Sequence, residues 1–241
     1  VSGNLLYVLN ALDGRDLAGF WAGGGRLPPI QGSVRSLGLV TPSDANQFTH
    51  TPGQVAFTPD GSQLIVTTKA STNSVDVFAV KRSGQLSATP VVNAEPGTVP
   101  FAVTFDGAGR VDLAEAGTNA VASFRLGHDG TLAALDEVAT GQAATCWIAS
   151  ARGVLFASNA GSATLSAIST TGHGSLTLLG QTGTDPGTVD AAAAPGGRYL
   201  YVQTGGTGTV DGFAVGAGGS LSAVGSVVVP GAAGGEGIVA F

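Results

Sequence analysis

The sequence has no methionine and a single cysteine, Cys146, among its 241 residues. A lone thiol excludes a disulfide within the chain and leaves its redox compartment undecided. Charged residues make up only 11% of the chain and aromatics 6%. No run of basic residues occurs, and 10 Lys and Arg against 16 Asp and Glu give a net charge of −6. That balance argues against nucleic acid or an anionic membrane surface as partner. No apolar run reaches the roughly 18 residues that a spanning helix needs. Helical patterning is missing as well, since no stretch shows a convincing 3.6-residue apolar period, and no substantial helix is expected. The chain starts at Val1 rather than Met, so it is expected to be a processed product or a piece of a longer protein, with any signal peptide out of view.

What the sequence does have is glycine, 39 residues of it, and a phrase written more than once. "GSQLIVTTKASTNSVDVFAV" at 61–80 returns as "GGRYLYVQTGGTGTVDGFAV" at 196–215. Fainter versions lie between: Val75, Val121, Leu165 and Val210 occupy equivalent places, and a Gly-x-Leu marker recurs at Gly84/Leu86, Gly130/Leu132, Gly174/Leu176 and Gly219/Leu221. Both markers step by about 45 residues, the length of a propeller blade. An earlier version, "LAGFWAGGGRL", carries Leu17, Phe20 and Gly25-Arg26-Leu27 in the same order. Within one repeat, "QVAFTPD", "QLIVTTK", "SVDVFAV" and "LSATPVV" read as four short strands separated by turn residues. The Ala run at 191–194 falls where the other repeats have a strand.

These features predict an all-β chain, a β-propeller of four-stranded antiparallel blades with about five blades, forming a single domain over 1–241. The first repeat lacks an innermost strand and the chain ends in "GEGIVAF". Gly237–Phe241 is therefore expected to complete the blade begun by Leu5–Asn10, which would remove two open sheet edges.

"LLYVLNA", "QVAFTPDGSQLIVTTKASTNSVDVFAV", "CWIAS" and "GRYLYVQTGGTGTVDGFAV" resemble the lactonase-type β-propeller family, relatives of the tyrosine-valine-threonine-asparagine propeller repeats. The likeness extends over essentially the whole chain, but its motifs specify blades rather than chemistry. It implies a fold that usually has seven blades, so the chain is expected to be an N-terminally incomplete member. It further implies 6-phosphogluconolactonase-like or carboxymuconate cyclase-like activity, a bacterial and often extracellular or periplasmic setting, a small-molecule substrate, no cofactor and a monomer.

Blade topology sends the second-to-third-strand loops and the inter-blade crossings to one face. The polar groups expected to converge there are His50, Gln54, Lys69, Glu115, Thr145, Cys146, Trp147, Asn159, Asp190 and Glu236. Glu115, Asp190 and Glu236 are candidate general bases, because carboxylates crowded together raise one another's pKa; the competing reading makes them solvated rim residues. His50 is a further candidate base. Lys69, Gln54, Trp147 and Asn159 are candidate substrate-binding residues, against which Lys69 and Asn159 read as ordinary polar turn residues and Trp147 as inter-blade packing. Cys146 and His50 belong to non-adjacent repeats, which favours a small buried thiol over a nucleophile and base. His128 and His173 fall in turns of the opposite face. No cluster has metal-ligand spacing. A phosphorylated substrate would call for several cations, and only Lys69 and Arg15 qualify. Two functions stay open: hydrolysis of a sugar lactone, or a non-enzymatic propeller that holds a small ligand or partner. The interval from 38 to 53 is about a dozen residues longer than its counterparts and is expected to form an overhanging loop.

Overall fold

The computed structural model describes residues 1–12, 15–40 and 47–241. Among these described residues, nineteen short strands are arranged in chain order into five antiparallel sheets. The first holds β1 (Leu5–Asn10), β2 (Asp16–Trp21) and β3 (Arg35–Ser36). The second holds β4 (Val55–Phe57), β5 (Gln63–Thr67), β6 (Ser74–Ala79) and β7 (Val91–Ala94), and the third β8 (Pro100–Phe105), β9 (Val111–Glu115), β10 (Ala120–Leu126) and β11 (Leu132–Ala139). The fourth consists of β12 (Thr145–Ala151), β13 (Val154–Asn159), β14 (Thr164–Thr170) and β15 (Leu176–Gly183), and the fifth of β16 (Thr188–Ala193), β17 (Tyr199–Thr204), β18 (Thr209–Val215) and β19 (Leu221–Val228). Each is a meander in which sequence neighbours are hydrogen-bonded neighbours.

Burial follows strand position. β5 and β13 are buried at every residue, and β13 reads as an apolar run because it packs on a sheet at each face. The outermost strands β7, β11, β15 and β19 are largely exposed. The first three residues of the Ala run lie in β16, as the repeat requires.

The chain forms two compact units, one of residues 1–101 with 126–133 and the other of 102–125 with 134–241. In the first, Leu5, Tyr7 and Leu17 of the first sheet pack on Leu64, Val66 and Phe78 of the second. In the second, Ala149, Phe156, Leu165 and Ala167 meet Ala191, Leu200, Val202 and Phe213. Small alanines on facing strands let the sheets approach closely around the few large rings.

One expectation changes. Gly237–Phe241 is not a strand, and among the described residues β1 has β2 as its only strand partner, so the C-terminal residues do not complete the first blade. The backbone there is engaged otherwise: the Ile238 amide donates to Asp190 Oδ2 at 3.0 Å, and the glycines of "GAAGGEG" support turns rather than a ladder. Of the long interval, residues 41–46 lie outside the described residues, while Gln47–His50 forms one turn of α-helix, α1.

Candidate functional site

In the first unit the expected residues gather around α1. Lys69 follows β5 in a left-handed conformation (φ 51°), and its side chain is buried rather than solvated. Its Nζ donates to the Phe48 carbonyl at 2.5 Å and to Thr51 Oγ1 at 2.7 Å, lying 4.7 Å and 4.5 Å from the ring centroids of Phe48 and Phe101. A cation sandwiched between two aromatic faces and fixed by two oxygens is a fastener for the helical turn. His50 sits on that turn, its Nδ1 3.0 Å from Thr49 Oγ1. The Gln54 amide donates to Thr67 Oγ1, which itself donates to the Phe101 carbonyl.

In the second unit Asn159 ends β13, fully buried, and accepts from Thr145 Oγ1 at 2.7 Å. Its Nδ2 donates to Ser166 Oγ at 3.0 Å and to both oxygens of Thr164. The structure thus ties three strands through this amide. Cys146 occupies the bulge between Thr145 and Trp147 and is buried, and Trp147 packs against the core that contains Ile148, Leu155 and Ile168. Glu115 ends β9 at 1% exposure, with Thr118 Oγ1 donating to its Oε2 at 3.3 Å, so it is no solvated rim residue. Glu236 is exposed in the C-terminal segment. His128 and His173 lie in the β10–β11 and β14–β15 turns.

Asp190 is the carboxylate with the most developed surroundings. It lies in the irregularity of β16 between Thr188 and Ala191, across from Gln203 of β17. Burial pushes its carboxyl above the usual range, against the opposing pull of the Ile238 and Ala191 amides that donate to its oxygens. Gln203 does not stand out in the sequence. Its Oε1 is buried without a hydrogen-bond partner among the described residues, and its Nε2 lies close against Gly235. Beside it, Thr184 and Thr188 hydrogen-bond to each other and to the Asp185 carbonyl, while Thr204 and Thr207 bond to Thr209, whose hydroxyl donates to Asp185 Oδ2 at 2.9 Å; the Asp185 amide in turn donates to Asp211 Oδ2 at 2.8 Å. A threonine-rich turn signals only its loop, which is why sequence reasoning passes over this cluster.

A second unusual carboxyl, Asp112 of β9, also escapes it. Asp112 is fully buried, and among the described residues neither oxygen has a hydrogen-bond partner. Burial pushes its pKa up to about 7, with the facing Ser123 hydroxyl and Arg110 pulling it down and Asp106 adding to the rise. Among the described residues no three His, Cys, Asp or Glu side chains are gathered as a metal-binding set, and no helix is long and apolar enough to cross a membrane.

Repeated antiparallel sheets, four-stranded in all but the first, define the fold class as a β-propeller. No family model and no curated protein sequence matches the chain. Solved structures do. A candidate 6-phosphogluconolactonase from Bacteroides uniformis aligns with a TM-score of 0.79 at 20% identity, over 95% of this chain and 69% of that one. A protein from Lactobacillus plantarum aligns at 0.78 and 16% identity with the same coverages. The periplasmic gluconolactonase of Pseudomonas aeruginosa aligns at 0.77 and 21%, over 94% and 68%. At such identities the likeness is one of fold.

Proposed function

We propose that this protein hydrolyses a sugar lactone, with Asp190 as the general base. The observation that carries the reading is the Asp190 carboxyl, raised by burial and lying across a strand irregularity from the unbonded Gln203 Oε1. A carboxylate whose pKa is shifted toward neutrality takes a proton from water more readily than an ordinary one. In this reading Gln203 orients the water and Asp190 removes its proton as the water oxygen attacks the lactone carbonyl carbon. The ring C–O bond then breaks, and the leaving alkoxide takes the proton back from Asp190, giving the hydroxy acid. Lactonase names among the fold neighbours support the substrate class, and a periplasmic or extracellular setting goes with it. Asn159 and Lys69 support the scaffold here rather than touching substrate.

Asp190→Asn is expected to lower kcat on a gluconolactone panel by about 100-fold or more, the usual effect of losing a general base, with the circular-dichroism spectrum unchanged. Wild-type turnover in that variant sinks the assignment. One observation favours the second reading, a binding propeller: Asp190 already accepts two backbone amides, which stabilise its charged form and tie it to structure. A binder would show no turnover above background on the panel and a raised Tm with its ligand.

A further inference from the structure

The repeat places the arginines of the second unit. Arg110, Arg152 and Arg198 stand about one repeat apart, each in the turn between the first and second strands of its sheet, β8–β9, β12–β13 and β16–β17. Arg125 ends β10 beside Arg110, since Phe124 pairs with Val111 and these arginines are the next positions of the two strands. All four Lys and Arg of the unit thus lie at one end of its sheets. Contacts bring the turns together. The Arg110 guanidinium donates to the carbonyls of Thr171 and Gly172, in the β14–β15 turn that also carries His173. The β16–β17 turn abuts Arg152: a Cβ built on Gly197, the residue before Arg198, would fall 2.8 Å from the Arg152 amide nitrogen and 3.1 Å from its Cγ.

These charges are not matched by carboxylates. Asp106 holds Arg110 at 2.6 Å. Arg125, Arg152 and Arg198 are exposed and make no ion pair or side-chain hydrogen bond among the described residues, and His173 is exposed beside them. Glu115, Asp185 and Glu236 lie at the opposite ends of their sheets. Asp136 and Glu137 sit midway along β11, where Asp136 accepts from the Leu176 amide at 2.8 Å. A chain of net charge −6 therefore keeps one cationic end on this unit.

We infer that this end of the second unit binds an acidic polysaccharide, a linear chain bearing carboxylate or sulfate groups. Guanidinium presents paired N–H donors that match either group bidentately. A linear polyanion spans several turns at once, and its affinity comes from charge contacts that need neither a pocket nor an apolar anchor. The four turns carry no apolar side chain larger than proline, so they offer a bilayer nothing to bury. The net charge of −6 opposes a nucleic acid duplex, whose charge is packed far more densely. Asp190 lies toward the other end of β16, so the inference stands whether or not Asp190 is catalytic.

Polygalacturonate is the probe, titrated calorimetrically into the intact chain near neutral pH. Its affinity is expected to fall about tenfold or more between about 20 and 200 mM NaCl, as salt screens the charge contacts. Arg152→Gln combined with Arg198→Gln should weaken binding about tenfold at the lower salt. Ala139→Glu combined with Val228→Glu removes the same two charges from the balance, at exposed positions on the far ends of β11 and β19. That pair should weaken binding by about twofold or less. Absence of binding at the lower salt overturns the inference. So does equal weakening by the two pairs, which would mean that net charge and not this end governs. Tighter binding to duplex DNA or to phosphatidylglycerol vesicles than to polygalacturonate overturns the choice of partner.

Discussion

Asp112 shows how one buried carboxyl sets a pH dependence. Its charged form is disfavoured in the folded chain, moving its pKa from the ordinary 3.8 to about 7. Between those values the folded state binds more protons than the unfolded one, so stability falls as pH rises. The contribution is fully present below about pH 4 and lost by about pH 7, and the displacement corresponds to at most roughly 4 kcal/mol. Asp112→Asn keeps the shape without the charge. It should raise Tm at pH 8 by several degrees and leave Tm near pH 4 almost unchanged, as a melting series at the two pH values would show. Asp76 and Asp190, raised by burial in the same direction, keep a residual slope of the same sign. An equal shift of Tm at both pH values would mean that Asp112 is not charged in the folded protein at pH 8.

At the scale of the element, the Gly-x-Leu turn can be split into its two demands, backbone conformation and empty space. Gly174 needs both: φ is 89°, and a Cβ would run into Leu135. Gly141 has φ 68° with nothing within 4 Å, so it needs only the first. Alanine at Gly141 should therefore cost about 1 kcal/mol, from the left-handed conformation alone. Alanine at Gly174 should add the penalty of displacing Leu135 and reach about 2–4 kcal/mol. Denaturant midpoints of the two variants make the comparison, and equal losses would mean that the sheets yield freely at this turn. The turn also explains why the marker is legible in the sequence: steric demand at the glycine and burial of Leu86 and Leu176 fix both residues at one spacing.

For the whole molecule, what is legible in the sequence is what the repeat enforces. Five sheets, the strand that takes in Ala191–Ala193 and the hairpin position of Lys69 all follow from spacing. A repeat does not foretell where a side chain's hydrogen bonds go. Lys69 reads as a solvated turn residue, yet it is held between Phe48 and Phe101, and Gln203 and Asp112 stand out only once strand register puts them opposite Asp190 and Ser123. The C-terminal strand fails for a related reason: "GIVAF" has strand composition, but Ile238 gives its amide to a side chain in place of a ladder.

Charge and the outermost strand together govern how the molecule behaves in bulk. β19 is the edge of its sheet, and Val224, Val227, Val228 and Val229 are exposed along and just beyond it without a charged residue among them. An unpaired apolar edge is a template for further pairing unless repulsion keeps molecules apart. At neutral pH the net charge of −6 supplies that repulsion, and it vanishes near the isoelectric point of about 4.8. Turbidity of a concentrated sample should therefore peak near pH 4.8 and fall again on further acidification. Val228→Lys places a cation at the edge and shifts the isoelectric point only slightly, so it should lower the peak several-fold while leaving its position within a few tenths of a pH unit. An undiminished peak in that variant would mean that charge neutralisation alone, and not the edge of β19, drives the association.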